Sequence, residues 1–156
     1  MKRFGVALVM ALAGAFVLAV SAFAWQQRIE GQPASFERGA TGGYYIWHDD
    51  SGLHLRTTDP EGIESWYAGV ITTDGTFHDV ALVMAERDDH ASADGAHTIT
   101  FAMHTFSGID GFDFQIDGGT YVRFDLYRDG NQTSPDHIFL GEDGVHPDRD
   151  PFVVTR

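Results

Sequence analysis

Apolar and polar positions fall into two regimes along these 156 residues. From Phe4 to Ala24 no charge interrupts the apolar run, whereas beyond Gly43 aromatic and β-branched residues alternate with polar ones between Gly and Asp turn signals. A period of two in such residues predicts β-strands. The predicted strands are 44–48, 53–58, 65–72, 76–86, 97–106, 110–116, 120–128 and 137–140, with a last extended piece at 152–155. After the leader no segment carries an apolar stripe of helical period. Several short strands at this spacing predict an all-β fold, an antiparallel β-sandwich of about eight strands in the jelly-roll or immunoglobulin-like range, preceded by an N-terminal signal helix.

Turn chemistry sharpens the expectation. A three-residue loop Asp117-Gly118-Gly119 pairs Phe114 with Val122 and Phe112 with Phe124, and sets Asp113 opposite Arg123. The same device at Asp50-Ser51-Gly52 pairs Trp47 with Leu55, puts Tyr45, Trp47, Leu53 and Leu55 on the buried face, and places His48 across from His54. A hairpin is also expected at Thr73-Asp74-Gly75, with its loop length open. The uninterrupted apolar run Val80–Ala85 reads as a central strand covered on both faces.

The leader has the order of an export signal: Lys2 and Arg3, an apolar stretch, then small residues in Ala22-Phe23-Ala24. Cleavage after Ala24 gives a signal peptide over 1–24, a linker or edge segment over 25–42 and a β-sandwich domain over 43–156. The rival is an uncleaved anchor, since about 20 apolar residues span a bilayer. Either way the body sits outside the cytoplasm, periplasmic or secreted. The absence of cysteine excludes disulfides, thiolate metal sites, a cysteine nucleophile and lipidation at a signal-peptide cysteine.

Ten basic residues stand against 23 acidic ones, a formal charge of −13, and Lys2 and Arg3 belong to the leader. A domain this acidic is repelled by phosphate backbones and anionic head groups, so nucleic acid and membrane surfaces are not expected partners. A cation or a basic partner fits the surplus, as does a solvated surface kept soluble by self-repulsion.

Three groups of residues are candidates for chemistry. His48 and His54, with Asp49 and Asp50 beside them, could share a Zn²⁺ if their imidazoles meet across the ladder. The acidic segment 86–95, with Asp88, Asp89 and Asp94, has the oxygen ligands that Ca²⁺ takes, as does the patch 142–150. Tyr44, Trp66, Tyr67, Tyr121 and Tyr127 lie on strands with one outward face, and planar rings suit a sugar face or a partner's apolar patch. No GxSxG, phosphate-loop or HExxH pattern occurs. The function expected is therefore an exported, non-enzymatic binding or structural module for a carbohydrate or envelope component. The alternative is a small secreted hydrolase using carboxylates, metal-assisted or not.

Overall fold

The computed structural model describes residues 29–37, 42–59, 64–106, 108–128, 131–141 and 153–155. The leader and the acidic patch 142–150 lie outside these residues. Among the described residues a single helical turn, α1 (Ala34–Glu37), precedes ten strands: β1 (Gly43–Asp49), β2 (Gly52–Thr58), β3 (Glu64–Thr73), β4 (Thr76–Val83), β5 (His90–Ala93), β6 (Thr98–Phe106), β7 (Ile109–Asp117), β8 (Tyr121–Arg128), β9 (Asn131–Gly141) and β10 (Val153–Thr155). They form two five-stranded antiparallel sheets, one in the order β10-β1-β2-β7-β4 and the other β5-β6-β3-β8-β9. The fold is all-β and sandwich-like.

Strand alternation builds the core between the sheets. Tyr44, Ile46, Leu53, Leu55, Phe112 and Phe114 come from the first sheet, and Tyr67, Ile71, Ile99, Phe101, Met103, Val122, Phe124 and Leu126 from the second. Each of these is at most 3% exposed, so every one withdraws nearly its whole side chain from water. Burial on that scale stabilises by about 1.5–3 kcal/mol per large apolar side chain. One end of the interior is polar instead. There Thr57, Thr105 and Asp110 face inward, with the two threonine hydroxyls 2.7 Å apart. Burial of Asp110, together with the nearby Asp89 and Glu86 carboxylates, pushes its carboxyl above the usual range despite a bond from Thr105.

Residues 112–126 are not the hairpin that their pattern predicts. β7 and β8 belong to different sheets, so the chain crosses the sandwich at 118–120. Two strands whose apolar faces match across a hairpin match equally well across a core, which is why the pattern misleads. Gly118 and Gly119 both take positive φ, 68° and 85°, to make the crossing. Asp113 faces Arg56, and Arg123 is tied to Asp125 at 2.9 Å.

Thr73-Asp74-Gly75 is likewise a crossing between sheets, from β3 to β4. The two crossings hold each other: Asp74 accepts the Thr120 N–H and hydroxyl, each at 2.8 Å, and the Tyr121 N–H at 3.2 Å. Burial alone would raise the Asp74 carboxyl, but these donors outweigh it and hold the group below its usual range.

The run Val80–Ala85 is not central. β4 is an edge strand, bulged between His78 and Ala81 where Asp79 sits at φ 53°, and Leu82 and Met84 are 44% and 71% exposed. A bulge and a charge are devices that blunt an open edge.

The β1–β2 register also differs by one residue from the expectation. Asp49 pairs with Gly52 across a two-residue turn, and Ile46, not Trp47, opposes Leu55. Gly52 is spent on close approach to β7, since a Cβ there would lie 2.9 Å from the Phe114 carbonyl oxygen. Tyr44 and Ile46 therefore enter the core, while Tyr45 and Trp47 face the other side. There Phe36 of α1 covers them, with ring centroids at 5.3 and 5.1 Å. The segment before β1 is thus part of the fold: Ile29 is fully buried and its carbonyl accepts the His48 N–H.

Candidate functional site

The outward side of the β3–β6–β8 sheet gathers the aromatic candidates that face solvent. Trp66 is 46% exposed and opposes His104 on β6, their rings stacked at 4.1 Å and 14°. His104 Nε2 lies 2.6 Å from Glu64 Oε1, and Glu64 opposes Phe106, which is 52% exposed. One step along the strands Ala68 sits between Ala102 and Tyr127. Two small residues thus form a low floor beside the Trp66 ring, with Tyr127 on its far side.

Tyr121 shares this outward face but stands at the other end of β8, next to the Asp74 crossing. Tyr44 and Tyr67, by contrast, are fully buried, so they are not ligand-facing rings. Both carry a structural hydroxyl. The Tyr67 hydroxyl donates to the Thr58 carbonyl at 3.0 Å, and the Tyr44 hydroxyl reaches across the core to the carbonyls of Ala68, at 2.9 Å, and Tyr127. Tyr44 therefore braces from beneath the strand pair that carries the Ala68 floor.

His104 and Phe106 were not among the sequence candidates, and Glu64 was not among the ligand-binding ones, although one signal pointed to two of the three. On β6 Ile99, Phe101, Met103 and Thr105 face inward, so His104 and Phe106 must face out. The gap is that no rule of spacing joins Glu64 to His104, 40 residues away; only the β3–β6 register does so.

Of the zinc candidates the structure brings Asp49 to His54, 3.0 Å from its Nε2, but it parts the two histidines. His48 opposes Leu53, so it lies on the other side of the sheet from His54. The segment 86–95 is not one loop, because β5 runs through it and separates Asp88 and Asp89 from Asp94. Asp89 is a turn cap, accepting the N–H of Glu86 at 2.8 Å and that of His104 at 2.7 Å. Among the described residues no group of three or more His, Asp or Glu side chains could hold a metal ion.

No known family model, curated protein or solved structure matches this chain. Function has to be read from the geometry alone.

A second cluster occupies the outer side of the β1–β2–β7 sheet at the β1–β2 turn. His54, 7% exposed, stacks on Trp47 at 4.9 Å, and its Nδ1 lies 2.7 Å from Asp113 Oδ1. Arg56 donates to the same oxygen at 2.6 Å and to the Leu55 and Phe112 carbonyls at 3.0 and 2.9 Å. Ser51 Oγ stands 3.3 Å from His54 Nε2, giving a serine, imidazole and carboxylate in line. Of the three only Ser51 borders the neighbouring cleft of about 240 Å³, which His48, Asp49, Asp50, Leu53, Gln115 and Ile116 also line.

Asp49 disarms that line. Its Oδ1 accepts the Ser51 hydroxyl at 2.6 Å and the Ser51 N–H at 2.8 Å, and it lies 3.0 Å from His54 Nε2. The Ser51 hydroxyl, then His54, hold the Asp49 carboxyl far below the carboxylate range. Such a carboxylate is a weak base, and the serine proton is committed to it rather than to the imidazole. The Ser51 N–H, which an oxyanion would need, is occupied too.

Proposed function

We propose that this protein is an exported, non-enzymatic binding module that holds a carbohydrate of the cell envelope or its surroundings on the outer face of β3, β6 and β8. The observation that carries the reading is the half-exposed Trp66 ring, fixed by its stack on His104 beside the Ala68–Ala102 floor. A ring immobilised before binding loses little conformational entropy on meeting a flat sugar face. Polar groups at its border, Glu64 and His104, supply hydrogen-bonding orientation. Export through cleavage after Ala24 and the absence of nucleic acid and anionic membrane partners belong to the same reading, on the leader and the charge.

Within the sandwich class the order of strands favours the immunoglobulin-like kind over the jelly roll. With β10 and the β5–β6 hairpin set aside, β1-β2-β7-β4 over β3-β8-β9 follows the first, second, fifth, fourth and third, sixth, seventh strand order of that fold.

Incubation of the purified protein with insoluble polysaccharides tests the binding reading: retention without release of soluble sugar is expected, with at least a tenfold loss of retention in Trp66→Ala. Retention unchanged by that substitution overturns it. The second reading, a small hydrolase, draws on the Ser51–His54–Asp113 geometry. Labelling of Ser51 by a fluorophosphonate, or turnover of an ester or glycoside, would favour it; the Asp49 contacts predict neither.

A further inference from the structure

We infer that the carbohydrate read at Trp66 carries free amino groups, a deacetylated amino-sugar polymer, an inference that rests on the carbohydrate reading above. Three observations lead there. The carboxylate of Glu64 has a side chain 58% exposed and stands in the row next to Trp66, so a cation over the indole ring is within reach of it. An ammonium is attracted both by the electron-rich face of a tryptophan and by a carboxylate at its border.

The surroundings reinforce the sign. In the rows around Trp66, the outward positions among the described residues are Glu64, Ala68, His90, Ala102, His104, Phe106 and Tyr127, and Glu64 is the single carboxylate among them. On the same face Arg123 is held by Asp125 and sits opposite Thr72, six residues along β3 from Trp66. A uronic acid placed on the ring would meet Glu64 with like charge, whereas an amino sugar would meet a counter-ion.

The whole chain adds a long-range term. A formal charge of −13 attracts polycations and repels polyanions, and it raises the encounter rate with the former. A lysine-rich protein segment would share the ammonium but not the flat hydroxylated ring that the Ala68–Ala102 floor leaves room for, which favours the glycan.

Retention of the purified protein on chitosan, on the same polymer after N-acetylation, on a polyuronate and on polylysine tests this at 0.15 M salt. Expected are at least tenfold stronger retention on the free-amine glycan than on its acetylated form, and no retention on the polyuronate. Glu64→Gln should cut the difference between the two amino glycans to within about twofold, while Asp117→Asn, which removes the same charge from an exposed site on the other sheet, should leave it unchanged. Trp66→Ala should weaken both. Equal retention on the free and acetylated polymers, or preference for the polyuronate, overturns the inference and leaves the carbohydrate reading standing. Retention on polylysine matching that on chitosan, or an equal effect of Asp117→Asn, reduces it to bulk charge and overturns it. Failure to hold any of the three glycans overturns both readings.

Discussion

Asp113 offers the sharpest test of how the chain crosses the sandwich. Its Oδ1 receives Arg56 Nη2 at 2.6 Å and His54 Nδ1 at 2.7 Å, on a strand flanked by β2 and β4. Arg56 is 8% exposed and the Asp113 side chain 37% exposed. Hydrogen bonds to charged groups contribute about 1.5–3 kcal/mol when well formed. Solvent screening at a partly exposed carboxylate takes the value toward the lower end, so a double-mutant cycle of Asp113→Ala with Arg56→Met should give a coupling of about 1–2 kcal/mol. The same cycle with Arg123→Met should give less than about 0.3 kcal/mol, because Arg123 lies in the other sheet and answers to Asp125. Urea unfolding of the four proteins in each cycle measures both. A coupling above about 1 kcal/mol to Arg123 with none to Arg56 would restore the 112–126 hairpin and refute the crossing.

Three further outcomes follow from particular contacts. Gly118→Ala should cost about 1–2 kcal/mol in urea unfolding, the strain of a Cβ at positive φ. Gly119→Ala should cost more, because its Cβ would also lie 2.8 Å from the Gly75 nitrogen and 3.0 Å from the Asp74 carboxylate that ties the crossings; equal losses would contradict that packing. Asp110 has its carboxyl raised by burial, so folding takes up protons there: its contribution is fully present below the unfolded value near 3.8 and is lost as pH rises through the folded one. Asp110→Asn should therefore gain stability relative to wild type between pH 4 and pH 7, and a pH-independent difference would exclude this origin. Leu82→Thr on the exposed edge should change stability by no more than about 0.5 kcal/mol, whereas a loss of 2 kcal/mol or more would return β4 to the sheet interior.

Strand content and core membership were legible because period two survives any rearrangement of neighbours. Phe112, Phe114, Val122, Phe124 and Leu126 are all inside as expected, since the same faces bury whether the strands pair or stack. Strand partnership was not legible for that very reason. Turn glycines mislead similarly: Gly119 serves a crossing where it reads as a hairpin residue, and Gly52, which does close the β1–β2 hairpin, stands in the strand against β7 and not in the loop. The slip of one residue at Asp49–Gly52 exchanged Tyr44 for Tyr45, as a one-residue shift must, and it parted His48 from His54. Residues brought together by β-pairing over long separations, Glu64 with His104 or His54 with Asp113, leave no local trace. The buried hydroxyl ties of Tyr44 and Tyr67 belong with them, because a tyrosine on a strand reads the same whether its ring faces ligand or core.

Tryptophan fluorescence during titration with a soluble chito-oligosaccharide addresses the binding face most directly. Of the two tryptophans described, Trp47 is 5% exposed under Phe36 while Trp66 is open to solvent, so a ligand on the β3–β6–β8 face should shift the emission of Trp66 alone. The account predicts a saturable blue shift that is retained in Trp47→Phe and abolished in Trp66→Phe. A shift that survives Trp66→Phe, or that disappears with Trp47→Phe, would contradict it.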